Sequence, residues 1–379
     1  MLPTPEAQLS RMSNEIGDLV QHIDQHRALT SPIRRIPQEI LQEIFIHCLP
    51  TDHNAIMSAH EAPLMLGRVC SSWRSISMST PRLWTTVHVP IPDGYPNFES
   101  FSEEMARADS LVAATHIADL RTAALKEWLN RSKSLPVNIS FTQWGDSSPP
   151  SVPAPKSHHS YPIVDTILSV AHRWREISIG APAQTMVRFL THSPHELPFL
   201  ESLDFDFTLG HPSHPIAEIP LQDHNIYQTP SLRKLCLMQL PGDCLQLPVS
   251  WARLTDLTVE RKRRMGWGLP LPQAVELLSR CPRLVRCRLE IRLAATTPVQ
   301  FPLITLPDLE SLTILERTDV TSMFNCLDLP VLREVEYHGA MVPAFPRRSS
   351  LLTLLKKSNG LIRKFATDPQ TFTRTDLIE

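Results

Sequence analysis

The feature that most constrains the fold is a short apolar pattern that recurs through the second half of the chain. A large apolar residue is followed, after two others, by an apolar residue and, after one more, by a third. It occurs at Trp174/Ile177/Ile179, Leu200/Leu203/Phe205, Leu232/Leu235/Leu237 and Leu254/Leu257/Val259. It continues at Leu284/Cys287/Leu289, Leu309/Leu312/Ile314 and Leu332/Val335/Tyr337. Prolines precede several copies: Pro198, Pro230, Pro282, Pro307 and Pro330. Apolar residues two apart put one side of a strand inward. The segments between copies hold helix-like stretches, such as Val164–Arg173 and Gln273–Arg280. One such unit cannot bury its apolar side alone, but a stack of them can. The series therefore predicts a single solenoid of strand-helix units over roughly residues 84–365, with its strands on a concave side.

The steps between copies are 26, 32, 22, 30, 25 and 23 residues, near the ~20–29-residue period of leucine-rich repeats. An asparagine or cysteine ladder is missing and the steps are irregular, so the solenoid is expected to be degenerate. Composition fits many short, punctuated elements. Of 379 residues, 35 are proline and only 11 glycine, the reverse of the usual ~5% and ~7%. So few glycines argue against a Gly-rich phosphate loop. The formal net charge is −2, which does not suit a protein that coats nucleic acid or an anionic membrane.

The N-terminal part reads differently. Leu9, Met12, Ile16, Leu19 and Ile23 step by three and four, a heptad seam on a helix. Barely two heptads long and with Gly17 inside, it is expected to dock on its own protein rather than to form a free coiled-coil dimer. Residues 33–50 form a short amphipathic segment in which Pro37 and Glu39 suit a first turn. Ile40, Leu41, Ile44, Phe45 and Cys48 follow at helical spacing. In a second block Leu66, Val69, Cys70, Trp73 and Ile76 share one predicted helical face between Pro63 and Pro81. A core of about 50 residues is marginal alone and needs a partner. After Trp84, residues 85–89 and 135–141 alternate like strands, and residues 103–133 read as helical. Residues 145–160 are a Pro/Ser-rich loop or insertion.

The two blocks together, Ile36-Pro37-x-Glu39-Ile40-Leu41-x-x-Ile44-Phe45, then Val69-Cys70-x-x-Trp73-Arg74 and Pro81-Arg82-Leu83-Trp84, closely resemble the F-box motif. The segments Trp128–Pro136 and His172–Ile177 resemble large fungal F-box proteins with degenerate leucine-rich repeats. Two features depart from the pattern: a long loop between the blocks, and Gly67 inside the second. The resemblance implies a non-catalytic substrate receptor of an SCF (Skp–cullin–F-box) ubiquitin ligase. It implies that the Skp adaptor, and through it the cullin, is bound by Pro37, Glu39, Ile40, Leu41, Ile44, Phe45, Val69 and Trp73. The repeats would hold an unknown target protein. The alternative is a leucine-rich-repeat scaffold or binding protein acting outside any ligase.

The expected layout is α/β: an N-terminal helix over 1–30, an all-α F-box over 31–85, a degenerate leucine-rich-repeat solenoid over 86–365, and a tail over 366–379. Competing chemistry is absent from the pattern. His22 and His26 lie four apart, but no third ligand is fixed nearby. His158-His159 and His211/His214 lack ligand partners. Cys70, on the apolar face of a helix, behaves as a small hydrophobe. The basic run Arg261–Arg264 reads as a solvated loop between repeats, with a nuclear import signal or a contact for acidic targets as the alternatives. Seven scattered cysteines without a C-x-x-C pair give neither a zinc ribbon nor a disulfide scaffold. No cofactor, metal, nucleic acid or membrane is expected. With neither a signal peptide nor a long apolar run, the expected location is cytoplasmic, nuclear or both.

Overall fold

The computed structural model describes residues 5–30, 32–91, 104–143, 161–181, 183–207, 220–240, 242–260, 268–292, 300–316, 320–339, 351, 354–355 and 362–367. The Pro/Ser-rich segment, the basic run, and the His158 and His211 clusters lie outside these residues. The chain divides into two units. One comprises Met1–Pro50 and Ser58–Leu83, the other Thr51–Met57 and Trp84–Glu379.

The first unit is helical. It holds α1 (Pro5–Thr30), α2 (Gln38–His47) and α3 (Ser71–Ser79), with 3-10 turns at Pro32–Arg35, Leu66–Arg68 and Pro81–Trp84. Residues 10–23 of α1 are all exposed, so the expected docking of this helix on its own protein is not what is found. Pro37 precedes α2 rather than opening it, with φ −55° and ψ 148°, and its carbonyl accepts from the Leu41 amide at 3.1 Å.

The second motif block is not one helix. Cys70 is extended, at φ −159° and ψ 171°, and separates the turn Leu66–Arg68 from α3. Its Sγ accepts from the Trp73 amide at 3.5 Å, capping the new helix. Cys70 thus supplies a polar contact rather than a buried apolar one. Gly67 lies in the 3-10 turn, where the Arg74 Nε donates to its carbonyl at 2.8 Å.

The second unit mixes strands with helices. Its strands are β1 (Thr86–Ile91), β2 (Val137–Gln143), β3 (Trp174–Gly180), β4 (Ser202–Asp206), β5 (Lys234–Met238), β6 (Asp256–Glu260) and β7 (Leu269–Pro270). They continue as β8 (Arg286–Arg292), β9 (Ile304–Thr305), β10 (Ser311–Glu316), β11 (Leu327–Asp328), β12 (Glu334–Gly339) and β13 (Lys364–Thr367). Between them lie α4 (Glu104–Arg131), α5 (Tyr161–Leu168), α6 (Ala183–Leu190), α7 (Leu271–Arg280) and α8 (Thr321–Cys326). Among the described residues eleven strands form one sheet in the order β1-β2-β3-β4-β5-β6-β8-β10-β12-β13, with β7 on β8. Every pairing in it is parallel.

Each copy of the recurring pattern supplies one strand, and all 21 of its apolar positions are buried. The middle positions pair directly across the sheet, Ile177–Leu203–Leu235–Leu257–Cys287–Leu312–Val335. The third positions form a parallel row, Ile179–Phe205–Leu237–Val259–Leu289–Ile314–Tyr337. The prolines are explained by what precedes each strand. In the five proline-preceded copies the first apolar residue closes a turn by donating its amide three residues back: Leu200 to Leu197, Leu232 to Thr229, Leu284 to Cys281, Leu309 to Leu306 and Leu332 to Leu329. Proline is the second residue of each turn, where its fixed φ is already correct.

The same rows run further than the sequence pattern shows. Val87 pairs with Ile139 and Ile139 with Ile177, so β1 and β2 belong to the same sheet. At the other end Val335 pairs with Phe365, and β13 runs to Thr367, two residues into the expected tail. Part of the long loop between the motif blocks also joins this unit. The His88 amide donates to the Ala55 carbonyl at 2.8 Å, and Asn54 Nδ2 to Ser140 Oγ at 3.1 Å.

The two later segments that accompany the F-box resemblance meet at one side chain. Arg173 is buried. It donates to the Leu135 carbonyl from Nε at 2.9 Å, to the Leu129 carbonyl from Nη1 at 3.4 Å and to Ser132 Oγ from Nη2 at 2.5 Å. Its fork satisfies the carbonyls left over where α4 ends. Nearby, the Trp84 and Trp128 rings meet edge to face at 4.8 Å, and the Arg131 guanidinium lies 4.5 Å over the Trp84 ring.

Candidate functional site

The helix α2 divides the expected contact residues between two faces. At 100° per residue, Ile40 and Ile44 lie on one side and Leu41 and Phe45 on another. Leu41 is 5% exposed and Phe45 is fully buried, whereas Ile40 is 53% and Ile44 39% exposed. Leu41 and Phe45 were expected in the outward-facing set; they form the core of the helical unit instead. Phe45 packs on Trp73 of α3, with ring centroids 4.7 Å apart and planes tilted by 56°. Trp73 is half-buried, so it too serves chiefly to join the helices.

Pro37 and Glu39 are exposed at the start of α2, and Val69 is 58% exposed just after the turn Leu66–Arg68. The outward residues of the expected set are therefore Pro37, Glu39, Ile40, Ile44 and Val69. Sequence spacing missed further exposed apolar side chains of this unit, Ile33, Met65 and Met78. Met65 lies in a turn, where periodicity gives no face, and Ile33 in a 3-10 element. Only Met78, on α3, sits where spacing could have revealed it. Isolated exposed apolar residues are ordinary on a protein surface. On this small helical unit Ile33, Ile40, Ile44, Met65, Val69 and Met78 are all exposed.

Charged contacts fasten this unit. Arg82 Nη1 donates to Glu43 Oε1 at 2.6 Å, tying the turn Pro81–Trp84 to α2. Both side chains are more than half exposed, so the pair orients more than it stabilises. The Thr80 hydroxyl donates to the Ile76 carbonyl at 2.7 Å at the end of α3.

The sheet's alternate positions offer a second surface. Opposite the buried rows stand Ser178, Asp204, Cys236, Thr258, Arg288, Thr313 and Glu336, in register across the strands. Arg288 donates to Glu260 Oε2 at 2.5 Å and to Glu336 Oε2 at 3.2 Å. Glu336 also lies 2.8 Å from His338 Nε2 and accepts from Thr313 at 3.2 Å. The His338 bond foremost, then Thr313 and the Arg288 charge, hold the Glu336 carboxyl below the usual range against the opposing effect of burial.

Among the described residues no group of three or more His, Cys, Asp or Glu could hold a metal ion. Nor is any described helix long and apolar enough to cross a membrane. His22 stands exposed on α1. Burial pushes the Cys244 and Cys281 thiols up to about 12, and Cys287 still higher.

No curated protein matches the sequence. Residues 33–90 match a family described as F-box-like. That match begins at the exposed Ile33, takes in α2, α3 and their turns, and ends in β1; the chain carries an F-box-like domain and a parallel α/β sheet unit.

Proposed function

We propose that the chain is the substrate-recognition subunit of an SCF-type ubiquitin ligase. The F-box-like match carries this reading, because such domains in general bind Skp-type adaptors. The adaptor would lie on the exposed apolar residues around α2, with Pro37, Glu39, Ile40, Ile44 and Val69 in contact. Leu41, Phe45 and Trp73 would act behind them, holding α2 and α3 in place. The sheet unit would be a degenerate leucine-rich-repeat solenoid of the fungal F-box kind, and its polar strand face would hold the target. The seven aligned copies of the pattern and their in-register rows support that part. The protein itself would break and make no bonds. By holding the target near activated ubiquitin it would reduce the entropy cost of their meeting.

Co-expression with a Skp adaptor and a cullin tests the proposal. Co-purification of all three supports it. A well-folded chain, whatever its oligomeric state, that captures no adaptor refutes the ligase role and leaves a scaffold acting outside any ligase.

A further inference from the structure

The N-terminal helix is apolar along one side, yet the protein leaves that side bare. Met12 is 59% exposed, Ile16 59%, Leu19 61%, Val20 52% and Ile23 49%. A helix of 26 residues spans about 39 Å at 1.5 Å per residue. In water a helix draws most of its stability from packing its apolar side. Gly17 in mid-helix lowers the intrinsic propensity further. This helix therefore needs a cover that the rest of the described chain does not supply.

The seam itself says what that cover is. With Leu9 at heptad position a, Ile16 and Ile23 take the other a positions, and Met12 and Leu19 take d. Two of the three a positions, Ile16 and Ile23, are β-branched and neither d residue is; Ile at a with Leu at d favours two parallel strands, because each side chain then fits the hole presented by an identical helix. The outer positions Ser10, Arg11, Asn14, Gly17, Asp18 and Gln21 carry no large apolar side chain, so nothing competes for a second contact. Charge agrees. Glu15, at position g, falls opposite Val20 at position e of the other copy and meets no second carboxylate. It is already paired with Arg11 on its own helix, at 3.1 Å. The methylenes of Glu15 would cover Val20, which otherwise stands just beside the seam.

We infer that α1 is a dimerisation helix whose partner is the same helix of a second copy, parallel and in register. Identical residues meet in layers: Met12 with Met12, Ile16 with Ile16, Leu19 with Leu19 and Ile23 with Ile23. The assembly then carries two helical units and two sheet units.

Sedimentation equilibrium on the full chain reads this directly. The expected mass is twice the 42.9 kDa of one chain. Ile16→Asp with Ile23→Asp places carboxylates in the seam and is expected to weaken the dimer by about a hundredfold or more. Gln21→Ala, on the outer side, should leave it intact. The Leu19→Cys variant, under mild oxidation, should yield by mass spectrometry a disulfide-linked pair of identical peptides joined at position 19, and Met12→Cys likewise a pair joined at position 12, since the parallel in-register arrangement brings both positions against their own copies whereas an antiparallel one can do so for at most one of them. A monomeric wild-type chain overturns the inference, including one whose α1 becomes protected only when a Skp adaptor is added. So does a trimer or larger species, a dimer that survives both aspartates, or a dimer in which either cysteine variant forms no such link.

Discussion

The Phe45 ring lies 4.7 Å from that of Trp73, tilted by 56°, and so closes α2 on α3. The two most recognisable aromatic residues of the motif thus face each other rather than a partner. The side of α2 left exposed is the other one, with Ile40 and Ile44, and the two sides should respond differently to truncation. Phe45→Ala should cost about 3–5 kcal/mol of stability by lost transfer energy and cavity formation. Ile40→Ala with Ile44→Ala should change stability by about 1 kcal/mol or less, as expected of exposed positions. The same pair should weaken adaptor capture by roughly thirtyfold if these are anchor residues. Circular dichroism melting and adaptor titration on each variant separate the effects. A melt collapse in the isoleucine variant would place those residues in the core.

The buried rows of the sheet are the next test. Leu203, Leu257 and Leu312 are at most 1% exposed, and each occupies the same row. Truncating any one to alanine should cost about 2–5 kcal/mol. Denaturant titration of the full chain measures it. Unchanged midpoints in all three would show that the row does not exist in solution.

Arg173 joins the end of α4 to the start of β3 through three donated bonds. Arg173→Lys keeps the charge but loses the fork, so it cannot satisfy Leu135, Leu129 and Ser132 together. The expected loss is about 1.5–3 kcal/mol, the range for hydrogen bonds to charged groups. Arg175, exposed and two residues on, is the comparison site: Arg175→Lys should leave the melt unchanged.

Thiol chemistry should follow burial. Cys244 and Cys281, at about 12, carry only ~10⁻⁴ of their population as thiolate at pH 8. In the native protein iodoacetamide should label the exposed Cys48 long before either, and denaturant should abolish the difference. Peptide mapping after a timed pulse gives the order.

Burial, followed by the His53 and Arg121 charges, lowers the pKa of His88 from its ordinary 6.5, against a bond with Ser140 that raises it. The folded state thus favours neutral His88. Its contribution to stability is present above the unfolded value of about 6.5 and is lost as pH falls through the lower folded value. Melting temperature should decline over that window, and His88→Asn should flatten the part of the slope due to this residue.

The strand rows were legible because the pattern fixes three buried positions per copy, and all of them are filled by apolar side chains, Cys287 being the smallest. Strands at both ends of the rows escaped the series, for different reasons. In β2 the first position of the pattern is held by Pro136, before the pair Ile139/Phe141. In β1 the triplet Trp84/Val87/Val89 follows the rule but stands more than 80 residues from the next regular copy, Trp174/Ile177/Ile179. The contact residues were harder. Helix α2 is apolar on both sides, so spacing alone placed Leu41 and Phe45 with Ile40 and Ile44. Only the position of Trp73 reveals which side is inward. The break at Cys70 was also hidden, since a thiol is a weak capping group and gives no strong start signal.

The register of the rows does not depend on the distance along the chain between them. Neighbouring strands 22 residues apart and neighbours 32 apart meet with the same residues opposite. All variation in length is taken up in the connections, and none reaches the strands. A lineage of such chains can therefore lengthen, shorten or replace any one connection, or duplicate a whole strand with its connection, without disturbing the apolar rows. The part of the protein that holds its shape and the part free to acquire new contacts are encoded in separate stretches of sequence.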